Sequence, residues 1–119
     1  MYPVFGLFHL LFSLSKAEGR LCMAKENAFQ SNLVKELKER FPGCIVTKLD
    51  SSHIQGIPDL LVLWNDKWAV LECKRCGTAK HQPNQDYYVD RMNDMSFARF
   101  IFPENKEEVL DELEHSFSS

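Results

Sequence analysis

The sequence predicts an α/β domain in which a central mixed four-stranded sheet is flanked by helices on both faces. An apolar repeat of helical period opens the region after Met23. Short β-branched and aliphatic runs follow it, two of them joined by a tight turn. A helix, a strand and a further helix complete the order α-β-β-β-α-β-α. At 119 residues there is room for one core, and 45% apolar with 26% charged residues is the balance of a soluble globular domain.

From Lys25 to Phe41 the apolar residues Phe29, Leu33, Leu37 and Phe41 recur every four positions, with Lys35, Lys38 and Glu39 turned away, and Pro42-Gly43 ends the helix. Glu26 falls in the middle of that apolar face and Gln30 lies one turn on. An acid in a first turn is favoured by the helix dipole, which does not account for its pointing inward. Cys44–Leu49 reads as a strand, followed by a polar loop holding Asp50, His53 and Gln55-Gly56. Asp59–Trp64 and Lys67–Lys74 form a hairpin about Asn65-Asp66. Both strands are apolar on both faces, so helices are expected above and below the sheet. Pro83–Met92 is helical, with Gln85, Tyr88, Val89 and Met92 on the face toward the sheet; Phe97–Phe102 is a strand closed by Pro103. Asn105 opens a last helix as an Asn-led capping box with Glu108, and Val109, Leu110, Leu113 and Phe117 point inward.

Residues 23–119 are read as the single domain, and 1–22 as an N-terminal extension with Met23 as the expected natural start. Met23-Ala24-Lys25-Glu26 is a plausible beginning, and Glu18-Gly19-Arg20 can be encoded by the purine-rich run of a bacterial ribosome-binding site. The apolar stretch Val4–Leu14 is far short of the roughly 20 residues that cross a bilayer, and no Lys or Arg precedes it as in a signal peptide, so no membrane partner is expected. The four cysteines lack a second CxxC or a close Cys/His pair to complete a zinc site around Cys73 and Cys76; reduced thiols in a cytoplasm fit them. The net charge of −3 hides an asymmetry: residues 23–82 carry nine Lys/Arg against seven Asp/Glu, while 83–119 carry three against nine.

If Asn65 and Asp66 are the turn, cross-strand partners have numbers summing to 131, so Asp59 faces Glu72 and Lys74 follows on the same face. Two carboxylates then sit with Cβ atoms about 4.5–5.5 Å apart, and like charges directly opposite are destabilising. Because Leu61, Leu63, Trp68 and Val70 share that face, a solvated acidic surface is a poor account of the pair, and a divalent cation, Mg2+ or Mn2+, is expected to bind it. The Lys74 ammonium would orient an attacking water or offset charge on a phosphate. Cys73 alternates to the other face, where its backbone carbonyl rather than its thiol could join the metal shell. Glu26 and Gln85 are brought by periodicity toward the same spot.

Gly56-Ile57-Pro58-Asp59, followed after a hairpin by Glu72-Cys73-Lys74, resembles the PD-(D/E)xK motif of the restriction-endonuclease-like superfamily, and the αβββαβ order from about Lys25 to Phe102 is similar to that superfamily's core. The first-helix Glu, the compact size and the helical Gln are similar to VRR-NUC-type and Holliday-junction-resolvase-like nucleases, many of them phage-encoded. The resemblance implies Asp59, Glu72 and Glu26 as metal ligands, Lys74 as the catalytic lysine and Gln85 as the helical glutamine. It implies an endonuclease that hydrolyses DNA, with branched or junction DNA among its substrates, in a bacterial or phage-infected cytoplasm. Lys48, Lys67, Arg75 and Lys80 are candidate phosphate contacts, with solvated surface the alternative for each. His53 and His81 are expected as exposed loop histidines. Tyr87 and Tyr88 could stack on a base, Tyr88 being placed in the core by its spacing. Symmetric cutting of two strands needs two sites, so a homodimer is expected. The rival is a non-catalytic nucleic-acid-binding module with a nuclease-like fold, against which the facing carboxylates argue.

Overall fold

The computed structural model describes residues 25–119. The expectations for residues 1–22, for Met23 as a start and for Cys22 lie outside the described residues. The chain forms a mixed four-stranded sheet with three helices, in the order α1 (residues 25–40), β1 (Ile45–Lys48), β2 (Leu60–Trp64), β3 (Lys67–Cys73), α2 (Gln85–Met95), β4 (Phe97–Ile101) and α3 (Lys106–Ser118). The strands lie side by side as β1-β2-β3-β4, antiparallel at the first two pairings and parallel at β3–β4. A parallel neighbour cannot be reached by a tight turn, and α2 supplies the crossover.

Each face of the sheet is covered, as the two-sided apolar hairpin requires. On one side Leu33, Leu37 and Phe41 of α1 and Val109, Leu110, Leu113 and Phe117 of α3 pack on Leu60, Val62, Ala69, Leu71, Cys73 and Ile101. Phe41, Trp64 and Phe117 close that core with ring centroids 5.2–5.8 Å apart. On the other side the smaller cluster of Val70, Val89 and Ala98 joins α2 to the sheet, with Leu61, Trp68 and Met92 half-buried around it. The hairpin register is the one the sequence predicts: Leu60 opposes Leu71 and Leu61 opposes Val70, about a turn at Asn65, whose φ is 56°.

Element ends differ from the sequence reading for identifiable reasons. Predicted from Pro83 to Met92, α2 runs from Gln85 to Met95, because Asn84 is left-handed at φ 70° and cannot join a right-handed helix. The capping box at α3 does not form. Asn105 turns back to the strand instead, accepting the Phe102 N–H at 2.8 Å and donating to the Phe100 carbonyl at 3.0 Å. Lys67, a candidate phosphate contact, points its ammonium at the carbonyls of Ser116 and Ser119, complementing the α3 C-terminus. Tyr88 is half-buried rather than a core residue and meets Tyr87 edge-on at 5.0 Å. None of the described helices is long and apolar enough to cross a membrane.

Candidate active site

The hairpin ladder stops one pair short of Asp59 and Glu72. Its last pair is Leu60–Leu71, and beyond it the two acids replace backbone bonds with side-chain ones. The Asp59 N–H donates to Glu72 Oε2 at 3.1 Å, and the Cys73 N–H donates to Asp59 Oδ2 at 3.0 Å. The strands therefore part at this point, with each carboxylate inserted against the opposite strand. Asp59 remains tied to the edge strand, since its carbonyl accepts the Leu49 N–H at 2.9 Å.

A buried chain of polar groups runs from Glu72 to Lys74 through α2. Gln85 Nε2 donates to Glu72 Oε1 at 2.6 Å, and Lys74 Nζ donates to Gln85 Oε1 at 2.7 Å. Lys74 Nζ also donates to the Lys80 carbonyl at 3.3 Å and lies 3.7 Å from Glu72 Oε1. Glu72 and Lys74 are 3% and 6% exposed, so these bonds form where water does not compete, and an ammonium at this depth requires such partners. The Gln82 N–H, donating to Gln85 Oε1 at 2.8 Å, fixes which way the amide points.

Electrostatics follow from burial. Desolvation, then the Asp59 charge, pushes the Glu72 carboxyl up to about 8, only partly countered by Lys74. Burial also raises Asp59, against lowering by the Cys73 N–H, by Lys74 and Lys48, and by a hydrogen bond with Glu72 available when one acid holds a proton. Glu26 reaches the same field from α1, on the opposite side of the sheet. Its pKa is raised first by burial, with Lys74 and Arg75 lowering it and Asp59 raising it further. Among the described residues Glu26 makes no hydrogen bond or ion pair, so the structure brings it near the acids without joining it to them. Lys48, Arg75 and Lys80 are exposed around this cluster, the first two within electrostatic reach of its acids.

No group of three or more His, Cys, Asp or Glu side chains among the described residues converges to hold a metal ion. The candidate ligands that do come together are the carboxylates of Asp59 and Glu72, whose oxygens are hard donors. Magnesium binds through one or two carboxylates and keeps waters or phosphate oxygens for the rest of its shell, so the chemistry of this pair fits it without a third acid. Cys73 is buried on the α1 side as alternation requires, its thiol held well above the ordinary range by burial and the neighbouring acids. The Cys76 thiol lies 3.4 Å from the Thr78 hydroxyl.

Several supporting groups were not read from the sequence. The loop before Asp59 docks on the loop before α2. Gly56 has φ 91°, and a Cβ there would come within 2.6 Å of the Asn84 carbonyl carbon and 2.7 Å of the Pro83 oxygen. Upstream, Asp50 Oδ1 accepts the Ser52 N–H at 2.9 Å, an Asx turn. His81 stacks on Phe100 at 4.1 Å with its Nδ1 2.7 Å from Asp86, anchoring the loop whose neighbours Lys80 and Gln82 hold Lys74 and Gln85. Gly56, two residues before the Pro58-Asp59 dipeptide, is the available signal for the loop contact; nothing in the sequence pairs His81 with Phe100. Between the two loops lies a cleft of about 310 Å³, lined by Ser51, Gln55, Gly56, Ile57, Asp59, Gln82, Pro83 and Gln85.

No protein-family model matches this chain, and no curated protein matches it in sequence.

Proposed function

We propose that this protein is a magnesium-dependent endonuclease of the restriction-endonuclease-like type that hydrolyses DNA phosphodiester bonds, acting as a homodimer. The carrying observation is the hydrogen-bonded chain Asp59–Glu72–Gln85–Lys74, where two acids with raised pKa values and one ammonium converge at the end of an apolar hairpin, with Asp59 and Gln85 opening on a cleft. Perturbed titratable groups converging in a cleft are the usual mark of a reaction centre. The sheet order and the three helices are compatible with that superfamily's core.

In this reading Asp59, Glu72 and the Cys73 carbonyl would hold the cation, with Glu26 adding its charge from α1. When bound, the cation supplies Lewis-acid polarisation of the phosphate and a more acidic water. Lys74 offsets the negative charge that grows on the phosphate as water attacks, and Gln85 holds the ammonium in place. Lys48, Arg75 and Lys80 contact the flanking phosphates. No covalent enzyme intermediate is required.

Cleavage assays on a panel of linear and branched DNAs with magnesium, run on wild type and Glu72→Gln, test this directly. Metal-dependent cleavage by wild type and its loss in the variant are expected. Equal cleavage by both proteins would remove Glu72 from the site.

A further inference from the structure

The cleft between the 51–57 loop and the 82–85 segment has a composition that the cutting chemistry does not require. Asp59 and Gln85 line it, beside the place where the reaction would occur. Ser51, Gln55 and Gln82 line it too, all uncharged hydrogen-bonding side chains. No Lys or Arg lines it. A flanking phosphate would find no cation among Ser51, Gln55 and Gln82, whereas a neutral ring with polar edges would meet amides that both donate and accept. Neither Gln55 nor Gln82 uses its side-chain amide in a hydrogen bond among the described residues, so both are available.

Size and rigidity narrow the ligand. About 310 Å³ is at the lower end of small-molecule sites and admits one nucleotide-sized group, not a duplex. The walls are set in advance: Asp50 holds its loop through the Asx turn, the Ile57 N–H closes on the Ile54 carbonyl at 3.2 Å, and Gly56 lies against the Asn84 backbone. Glutamine amides match the hydrogen-bonding edges of bases, and an unpaired base exposes the edge that pairing hides.

The geometry points to this cleft as the receptor for a single unpaired nucleobase of the DNA strand being cut, with Gln55 and Gln82 hydrogen-bonding its edge. The inference rests on the nuclease reading and deepens it: a substrate with an unpaired nucleotide beside the scissile phosphate is bound in preference to a continuous duplex. The cleft has no aromatic lining, so the base leaves the stack without gaining a new one.

The test uses two DNA hairpins of the same sequence, one with a single-nucleotide bulge carrying 2-aminopurine and one fully paired with 2-aminopurine in the stem. Binding is measured in calcium and cleavage in magnesium, with the full chain. Wild type should bind the bulged hairpin about tenfold more tightly, the discrimination one good amide-to-base pair supplies, and the bulged fluorophore should brighten on binding. Gln55→Leu and Gln82→Leu should each reduce that ratio, and the double variant should bring it close to one. Both residues are exposed, so the core is left intact. Equal binding of the two hairpins, with no brightening, while magnesium supports cleavage of both, would overturn the inference and leave the nuclease reading standing. A glutamine-dependent bulge preference with no cleavage in any divalent metal would uphold the cleft and sink the nuclease reading. Displacement of the hairpin by free dAMP at similar concentration would reassign the cleft to a free nucleotide, and failure to bind either DNA would overturn both conclusions.

Discussion

Glu72 is almost fully buried, yet its oxygens face two N–H donors, an ammonium and a second carboxylate. Its charge is disfavoured by burial and by Asp59, while its shape is needed to hold the strands and Gln85 together. Glu72→Gln separates the two: the variant should keep a native circular-dichroism spectrum, while DNA cleavage falls by about a hundredfold or more, the scale set by removing one preorganised electrostatic group. Lys74→Met applies the same test to the ammonium. It leaves Glu72 with no nearby positive partner and should lower cleavage by roughly 10²–10³ in single-turnover assays. Full activity in Lys74→Met would reduce that residue to a structural role.

Two loops and one helix end hold these side chains, and each depends on a local feature. At Gly56 any side chain is opposed twice, by a φ of 91° and by the Asn84 backbone 2.6 Å away. The left-handed backbone alone disfavours a non-glycine residue by roughly 1–3 kcal/mol, and relief of the clash requires the loops to separate. Gly56→Ala should therefore lower the urea midpoint with an unchanged slope, and it should reduce cleavage more than its stability loss explains. His81 anchors the neighbouring loop by stacking on Phe100 and bonding Asp86. His81→Phe keeps the stack, whereas His81→Ala removes both contacts. Cleavage should fall in the alanine variant and recover partly in the phenylalanine one, a rescue that a purely exposed histidine would not show. The exposed pairs of Arg40 with Glu107 and Asp111, and of Lys106 with Glu36, bring α1 and α3 together but are worth little singly. They do explain where part of the acidic excess in residues 83–119 goes: Glu107, Asp111 and Glu114 face Arg40, and Glu107 also faces Lys106.

For the whole molecule, the buried acids link stability to pH and to metal. Glu72 has an ordinary pKa of 4.5 and a folded value of about 8, and Asp59 is raised as well. Between about 4.5 and 8 the unfolded chain has released a proton that the folded chain still holds, so metal-free stability should fall as pH rises through that window and level off above it. The proposed magnesium site exists only in the folded pair, so magnesium should restore stability, by roughly 2.7 kcal/mol at a hundred times its dissociation constant. Thermal melts across pH, with and without magnesium, on wild type and Asp59→Asn check both effects. The variant should lose the magnesium stabilisation and show a smaller pH slope, the part due to burial of Glu72 remaining; equal magnesium stabilisation of the two proteins would place the cation elsewhere.

Periodicity and turn chemistry were enough to read the elements, the hairpin register and the placing of Asp59, Glu72, Lys74 and Gln85 toward one spot, because alternation on a strand and the 3.6-residue repeat of a helix are local properties. Local rules also gave the inward helix faces, from Leu33 to Phe117. They failed where a competing partner lay outside the element being read. Asn105 abandoned its cap for the Phe102 N–H, Lys67 went to the end of α3, and α2 began late because Asn84 turns left-handed where Gly56 packs against it. The distinction is sharpest at the site. Its residue types and facing carboxylates are written in the sequence, but the depth of burial that raises Glu72, the Gln85 bridge to Lys74 and the cleft beside Asp59 arise when α2 and the 51–57 loop close over the strand ends, since desolvation belongs to the packed molecule and to no single segment of it.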